Sequence, residues 1–193
     1  QLLTKQRQES AKQIVKDITS SLCQLEIPEN KFEIRIDRTA ELTAQGADKV
    51  TFLFSANKNM MPRPIAEVAS GGEIARVMLA LKALMGTRTS MPTIIFDEID
   101  TGVSGRVSDA MARMMKQMSS RQGQQVIAIT HLPQIAAQGE HHLFVYKENT
   151  DEQTLSHIRT LTEKERITEV AHMLSGSDIT QAAIENAKQL LGK

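Results

Sequence analysis

The sequence predicts an α/β fold in which a mainly parallel sheet is covered by helices, with antiparallel hairpins beside it. Two short apolar runs, 93–96 and 126–129, have the composition of strands buried on both faces. A helical pattern precedes each run, from Ile74 to Met85 and from Val107 to Met118. Helices that alternate with buried strands are typical of a parallel sheet. Other segments alternate apolar and polar residues, which predicts the hairpins.

Composition and charge exclude several classes of function. The chain has 193 residues, 40% of them apolar and 24% charged, which is ordinary for a soluble globular domain. Its formal net charge is +0, so overall charge favours neither nucleic acid nor a membrane surface. No apolar run approaches the roughly 20 residues that span a bilayer. Cys23 has no partner for an internal disulfide, and we expect a cytoplasmic protein without a membrane partner.

The first part of the chain predicts a helix that leads into the main domain. Four apolar residues are spaced by four, four and three positions and form a narrow helical stripe: Ile14, Ile18, Leu22 and Leu25. This stripe fits either the end of a coiled coil or an amphipathic surface helix, and Pro28 is expected to end it. We therefore divide the chain into 1–27, the lead-in segment, and 28–193, the main domain. Because the sequence starts with Gln1 and not Met, we expect a piece of a longer protein.

The hairpin strands and the C-terminal helices follow from alternation and turn residues. The alternating segments lie at 32–36, 50–54, 143–146 and 155–158. Polar loops are expected through Gln45–Asp48 and over 57–64, and a polar turn over 149–152. Two helices are expected at the C-terminus, the first ended by Ser175-Gly176 and the second capped by Ser177-Asp178.

The first of four polar motifs, Ala69-Ser70-Gly71-Gly72-Glu73, predicts a helix start. Ser70 can accept a hydrogen bond from the Glu73 N–H while the Glu73 side chain reaches back, which is a capping box. Glycine inside a helix costs roughly 1 kcal/mol relative to alanine, so two glycines here indicate that something approaches the backbone closely. The bare N–H groups of a helix start also attract phosphate. The motif indicates either a phosphate site or an ordinary capped helix.

The second motif is a β-branched strand, Thr93 to Phe96, that ends in Asp97 and Glu98. Ligands of parallel sheets bind beyond the carboxyl ends of the strands. Adjacent strand residues point to opposite sides, so the two acids are expected to have different roles. Asp97 suits holding Mg²⁺, and Glu98 suits orienting and deprotonating a water. A strand that ends in a polar turn, with Asp97 as a local cap, is the alternative.

The third and fourth motifs lie beside these acids. Asp100 to Gly105 forms a tight loop between a strand and a helix, in which Ser104 can cap the helix. His131, in Thr130-His131-Leu132-Pro133, ends the second buried strand as Asp97 ends the first. If the two strands are neighbours, His131 and Glu98 face one pocket, where a neutral imidazole can hydrogen-bond a phosphate or the attacking water. A structural histidine at a strand end is the alternative.

The order of the four motifs resembles the C-terminal half of an ABC ATPase head. The resemblance implies that Ser70-Gly71-Gly72-Glu73 is the signature motif, which binds a nucleotide held by a second head. It also implies that Asp97 helps hold Mg²⁺, that Glu98 activates the hydrolytic water, and that His131 contacts the γ-phosphate of ATP. The resemblance further implies that Asp100 begins the D-loop at the nucleotide and couples the two sites across the interface. The resemblance implies that the head binds ATP and Mg²⁺.

No phosphate-binding loop of the form G-x-x-x-x-G-K-[ST] occurs in the sequence. In SMC-type proteins this loop lies near the far N-terminus, and a long coiled coil separates the two halves of the head. The stretches VASGGEIARVMLALKAL, PTIIFDEIDTGVSG and ITHLPQIAAQGEHHLFVYKE, with the ending GSDITQAAIENAKQLL, are similar to the RecN group of SMC-like ATPases. The likeness runs from about Phe32 to Leu191.

This resemblance implies a bacterial, nucleoid-associated protein that hydrolyses ATP between paired heads to hold DNA during double-strand-break repair. The implied partners are the N-terminal half with its phosphate-binding loop, a second copy of the head, and DNA. The isolated chain is expected to be inactive because it lacks that loop. A basic set on or just after one predicted helix is more typical of a solvated face than of a DNA site: Arg106, Arg113, Lys116 and Arg121.

Three other interpretations are weighed against this one. The first is a head lobe of another SMC-like or RecF-like repair ATPase. The second is a non-catalytic assembly module that uses its strands and the SGGE helix only as an interface. A transporter ATPase fits least, because neither a phosphate-binding loop nor a membrane-partner signal is present in the sequence.

Overall fold

The predicted α/β class is confirmed by a computed structural model that describes residues 2–67, 70–89, 91–149, 153–176 and 178–193. Its helices are α1 (Leu2–Gln24), α2 (Gly71–Arg88), α3 (Arg106–Gln122), α4 (Pro133–Gln138), α5 (Glu163–Ser175) and α6 (Gln181–Leu190). Its strands are β1 (Lys31–Thr43), β2 (Gly46–Ser55), β3 (Arg63–Pro64), β4 (Thr93–Asp97), β5 (Gln125–Ile129), β6 (Leu143–Asn149) and β7 (Thr154–Thr160). None of the helices in these ranges is long and apolar enough to cross a membrane.

The parallel part of the fold is smaller than the sequence indicated. Strands β4 and β5 pair in parallel, with Thr93 opposite Gln125 and Asp97 opposite Ile129. The other pairings in the described ranges are antiparallel: β1 with β2, β2 with β3, and β6 with β7. The predicted hairpin of β6 and β7 is therefore present, while the turn residues 150–152 lie outside the described residues.

One hydrophobic cluster joins the lead-in helix to the parallel strands. Ile18 and Leu22 of α1 are fully buried, and so is Leu25 just after it, which explains the narrow apolar stripe. Ile94 and Phe96 of β4 enter the same cluster from one face of the strand. Further large members come from β1, β2, α2 and α3, among them Phe32, Phe54, Val77, Leu79, Met111 and Met118. Helix α1 is thus part of the domain core over its second half.

The polar stretch around Gln45–Asp48, expected to be a loop, is strand except for a tight turn at 44–45. The hairpin of β1 and β2 extends past the apolar core, so its outer part is largely polar and no apolar alternation marks it. Helix α1 holds this extension by its N-terminal half. Arg7 donates to the Asp48 carboxylate at 2.9 Å and to the Gln45 carbonyl at 2.7 Å, and Thr4 donates to Asp48 at 2.9 Å. The hydrogen bond from Arg7 is the largest cause of the lowered pKa of Asp48.

Three secondary-structure elements differ from the expectation: α1 in where it ends, and β3 and α4 in being present. Helix α1 ends at Gln24, before Pro28, because Glu26 turns the chain with φ 63°. The loop over 57–64 contains β3, a two-residue strand that pairs with the end of β2. Helix α4 was not anticipated; its Pro133 fits a first-turn position, where no N–H is needed.

The two C-terminal helices are confirmed, and so is the end of the first at Gly176, where φ is 75°. The cap of α6 is different: the Thr180 hydroxyl accepts from the Ala183 N–H at 3.2 Å, so Asp178 does not cap the helix, and Ser177 lies outside the described residues. A small apolar cluster packs α4, α5 and α6 together through Ala137, Val170, Ala171, Ala183 and Ala187.

A capping box opens α5, and it is a feature that the T-x-x-E pattern could have revealed. The Glu165 carboxylate accepts from the Thr162 N–H at 2.8 Å and from the Thr162 hydroxyl at 2.7 Å. Arg159 of β7 donates to the other carboxylate oxygen at 2.6 Å. These hydrogen bonds lower the pKa of Glu165 from 4.5 to about 2, and the one from the Thr162 backbone N–H has the largest effect.

We predict that acid weakens the fold partly through Glu165. Because the folded state holds the pKa near 2 while the unfolded value is 4.5, the contribution is complete above the unfolded value and is lost as the pH falls towards about 2. Urea denaturation across this range should show a shallower acid loss for Glu165→Gln than for wild type. Glu169→Gln, one turn further along α5, should follow wild type. Parallel curves for wild type and Glu165→Gln would contradict the prediction.

Candidate functional site

The carboxyl ends of β4 and β5 meet at one edge of the parallel pair. Asp97 ends β4 opposite Ile129, and the Glu98 N–H donates to the Ile129 carbonyl at 3.1 Å. His131 follows β5 by two residues, and its side chain is 64% exposed. Asp97 and Glu98 are exposed as well. The structure therefore brings Asp97, Glu98 and His131 to the same edge, because the strands that carry them are neighbours.

Glu98 has a backbone conformation that is uncommon outside glycine, with φ 47°. Such a conformation typically costs on the order of 1–3 kcal/mol and persists where the surrounding structure imposes it. Thr101 imposes it here: its hydroxyl and its N–H both donate to the Glu98 carbonyl, at 2.9 Å and 3.3 Å. The chain thus turns sharply at Glu98, immediately after the strand that carries Asp97.

Asp100 points into the protein, with only 1% of its surface exposed. One carboxylate oxygen accepts a hydrogen bond from the Thr130 hydroxyl, which in turn accepts from the Leu132 N–H at 2.9 Å. The other oxygen is buried without a hydrogen bond, and it lies 3.9 Å from Nδ1 of His131. Asp100 therefore faces the end of β5. Thr130 is the site residue that the sequence reasoning missed; its signal was a threonine directly before the candidate histidine.

Helix α2 begins directly after Ser70, as predicted, but the predicted capping box is not formed. Ser70 is extended, with φ −94° and ψ 117°, and its side chain makes no capping hydrogen bond. Its carbonyl, and not its hydroxyl, accepts from the N–H groups of Glu73 and Ile74 at 3.2 Å and 3.1 Å. The Ser70 hydroxyl is consequently not engaged by the helix that it precedes. Ala69, the first residue of the motif, lies outside the described residues.

The two glycines at the start of α2 have different surroundings. A Cβ at Gly72 would lie 2.8 Å from the Gly102 carbonyl and 3.2 Å from Cγ1 of Val103. A Cβ at Gly71 would meet nothing within 4 Å. Gly72 is therefore required by the fold, because it packs against the loop after Glu98. Gly71 is exposed, and the fold itself does not require glycine there.

The described residues contain no group of three or more His, Cys, Asp or Glu side chains that is arranged to hold a metal ion. Asp97 contributes one exposed carboxylate at the strand end. In nucleotide sites Mg²⁺ is commonly bound through one or two carboxylates, while phosphate oxygens and water complete its coordination. Asp97 fits that role and does not form a metal site by itself.

Apolar residues are exposed on the face of the parallel pair opposite α2 and α3. Ile95 is 62% exposed, Ile129 52% and Ile127 37%. One face of the β6–β7 hairpin is similar, with Val145 62% and Ile158 67% exposed. Parallel strands are normally covered on both faces. In the described part of the chain one face of this pair is left uncovered.

Solved structures with a similar fold are heads of SMC proteins. One, from a study of ATP-driven dimerization and DNA-stimulated activation of SMC ATPases, matches with a TM-score of 0.62 over 91% of this chain and 99% of its own, at 16% sequence identity. The Smc head domain with a coiled coil and joint derived from Pyrococcus yayanosii matches with a TM-score of 0.66 over 88% of this chain and 30% of its own, at 18% identity. The fold is therefore that of an SMC-type ATPase head lobe.

Within that class the chain belongs to the RecN family over the segment that it spans. DNA repair protein RecN of Haemophilus influenzae is 37% identical over 190 residues, which are 98% of this chain and 34% of the relative. RecN of Deinococcus radiodurans is 39% identical over 191 residues, 99% of this chain and 33% of the relative. No protein-family model matches the chain. The chain spans about a third of the length of these curated relatives.

We predict that the two glycines respond differently to alanine. Gly72→Ala should lower the free energy of unfolding by about 1–3 kcal/mol, because its methyl group meets the backbone of Gly102 and overpacking of this kind is costly. Gly71→Ala should unfold at the same urea concentration as wild type or at a slightly higher one, because its methyl group enters open space and alanine favours a helix. Urea denaturation of the purified chain checks both. Equal stability of the two variants would contradict the contact with Gly102.

Proposed function

We propose that the chain is the C-terminal lobe of a RecN-type ATPase head, in which ATP is hydrolysed between paired heads to drive DNA holding in double-strand-break repair. The observation that carries the proposal is the meeting of Asp97, Glu98 and His131 at the carboxyl edge of one parallel pair. Ligands of parallel sheets bind at this edge. Carboxylates can hold Mg²⁺ and activate a water, and an imidazole can hydrogen-bond a phosphate, so these groups suit phosphate hydrolysis.

Each group at the edge has a separate task in this proposal. Asp97 holds Mg²⁺, which neutralises charge on the phosphates of ATP when bound. Glu98 orients a water and accepts its proton as the water oxygen bonds to the γ-phosphorus and the bond to the ADP oxygen breaks. His131 donates a hydrogen bond to the γ-phosphate. Asp100, buried behind them, acts through Thr130 and His131 and keeps both in place.

The start of α2 supplies the contact with a second head. Ser70 and Gly71 are exposed, and neither the Ser70 hydroxyl nor the space above Gly71 is taken by the helix cap or by neighbouring atoms. A helix start of this kind binds phosphate through its N–H groups. We propose that Ser70 and the N–H groups of Gly71 and Gly72 contact the γ-phosphate of a nucleotide held by another copy of the head, and that Glu73 lies at the same nucleotide site. The protein would then work as a homodimer.

The first partner is the N-terminal half of the same protein, which carries the phosphate-binding loop. Two observations support it: the exposed apolar face around Ile95 and Ile129, and the absence of that loop from the sequence. Covering the face would give the parallel pair the second layer that such sheets have. Helix α1, which lies within the segment 1–27, would form the end of the coiled coil that separates the two halves.

DNA enters the proposal through the relatives, which are named DNA repair proteins. Exposed basic residues lie on α3 at Arg106, Arg113 and Lys116, and Arg106 is 3.9 Å from the Glu26 carboxylate. Exposure alone fits a solvated helix face as well as a DNA contact. We place the protein in the bacterial cytoplasm, at the nucleoid, since its proposed substrate is chromosomal DNA.

We predict that activity depends on covering the apolar face of the parallel pair. The isolated chain should hydrolyse ATP negligibly, and adding the separately produced N-terminal portion should restore phosphate release. Ile95→Lys should weaken that complex by about a hundredfold or more, because a lysine would be buried without a partner. Leu42→Lys, at a position 84% exposed in β1, should bind like wild type. Robust turnover by the isolated chain, or normal binding by Ile95→Lys, would contradict the split head.

We predict that Glu98→Gln in the complete protein slows hydrolysis by about 10²–10⁴-fold, the usual contribution of a general base. ATP-dependent pairing of heads should persist, because the amide keeps the size of the carboxylate and the binding groups remain. Steady-state phosphate release and sedimentation with ATP measure the two properties. Glu9→Gln, an exposed position on α1, is the control. Unchanged turnover removes Glu98 from the mechanism, and a protein that neither pairs nor hydrolyses with ATP supports the assembly-module interpretation.

A further inference from the structure

We propose that Arg76 is a positioning residue that fixes the serine–glycine start of α2 to the C-terminal end of α1. The phosphate-contacting groups would then move together with the lead-in helix α1. The inference rests on the function proposed above, because Arg76 would act through Ser70 and Gly71. Nothing in the reaction itself requires an arginine at this position. The reason for it lies in the contacts of the guanidinium group.

The guanidinium of Arg76 joins two helices that are distant in sequence. Its Nε donates to the Gly72 carbonyl, in the first turn of α2, at 3.0 Å. Its Nη1 donates to the carbonyls of Leu25 and Glu26, just after α1, at 3.2 Å and 3.3 Å. The planar, forked arrangement of donors lets one arginine hold both groups in a defined orientation. Lysine, with a single ammonium group, cannot reproduce this geometry.

The end of α1 is a favourable place for this cation. The last carbonyls of a helix lack partners within the helix, and they carry partial negative charge. Leu25 is fully buried, and Glu26 has φ 63°, so the backbone is fixed at the point where Arg76 binds it. Burial lowers the pKa of Arg76, and the nearby Glu73 and Glu26 oppose that shift. Hydrogen bonds of a partly desolvated charge are stronger than those at an open surface.

Contacts continue from Arg76 to the catalytic edge. Gly72, whose carbonyl Arg76 holds, packs so closely on Gly102 that a Cβ would lie 2.8 Å from the Gly102 carbonyl. The loop of Gly102 follows Asp100, which accepts a hydrogen bond from Thr130 next to His131. A displacement of α1 relative to α2 is therefore passed to the helix start first and to the loop behind it next.

A second arginine supplies the matched control. Arg88, near the C-terminal end of α2, pairs with Asp17 of α1 at 3.2 Å, so it joins the same two helices. Its side chain is 55% exposed and that of Asp17 31%, and exposed pairs of this kind contribute little to stability. Arg76 and Arg88 thus differ in what they hold. The first contacts the phosphate-binding end of α2, and the second contacts the opposite end.

The test uses the complete protein with Arg76→Gln, Arg76→Lys and Arg88→Gln, each alone and combined with Glu98→Gln. Head pairing is titrated with ATP in the Glu98→Gln background, turnover is measured against ATP concentration, and thermal unfolding reports the fold. For Arg76→Gln we expect the ATP concentration for half-maximal pairing to rise about tenfold, the loss expected for charge-assisted hydrogen bonds. Turnover at saturating ATP should fall less than about threefold, as for a change in binding. Arg76→Lys should be intermediate and Arg88→Gln unchanged.

Each outcome decides for or against the inference. An Arg76→Gln protein that unfolds like Arg88→Gln yet needs more ATP for pairing supports a positioning role. If the two variants pair at the same ATP concentration, or if Arg76→Gln does not fold while Arg88→Gln does, the inference is wrong, because Arg76 is then dispensable or merely structural. Failure of the proposed function has a different signature, since Glu98→Gln alone would then hydrolyse ATP at the wild-type rate.

Discussion

The pairing of β4 with β5 is the constraint on which the rest of the structure depends. Its register puts Asp97 opposite Ile129, so Glu98 and His131 leave the sheet at the same edge. Along β4 itself Ile94 and Phe96 point into the core and Ile95 outwards, because side chains alternate along a strand. Register and alternation together determine the edge at which the candidate site residues meet and the apolar face that is left uncovered. A shift of one residue in β5 would turn Ile127 and Ile129 towards the core and Val126 and Ala128 outwards.

Local patterns predicted this edge because each strand end that forms it can be recognised from a short segment of sequence. An apolar run that ends in Asp97 and Glu98, and another that ends before His131, are visible without any long-range information. The inward direction of Asp100 was not predictable, since its partner Thr130 is thirty residues away and either residue alone is compatible with an exposed loop. The extended hairpin around Asp48 was missed for the same reason: its support comes from Arg7 in a distant helix.

The motif of residues 70–73 shows where sequence reasoning runs out for a different reason. Adjacent glycines look alike in a sequence, and the same close approach to the backbone is expected of both. The structure separates them, because Gly72 is closed off by the Gly102 carbonyl while Gly71 is open. Serine is likewise a residue type favoured at helix caps, yet the Ser70 carbonyl accepts the hydrogen bond from the Glu73 N–H that its hydroxyl was expected to accept. Packing decides which of two chemically suitable atoms is used.

The site is incomplete in two independent ways, and both have the same consequence. Asp97 is a single carboxylate, and the described residues offer no cluster to complete a metal site around it, so a cation held there would need further ligands, such as phosphate oxygens and water. The exposed face of β4 and β5 is apolar, so the sheet gains stability when another layer covers it. In the proposed function, chemistry at this edge therefore requires a nucleotide and a further polypeptide at once. Under that proposal the requirement would couple hydrolysis to assembly without any additional switch in the lobe itself.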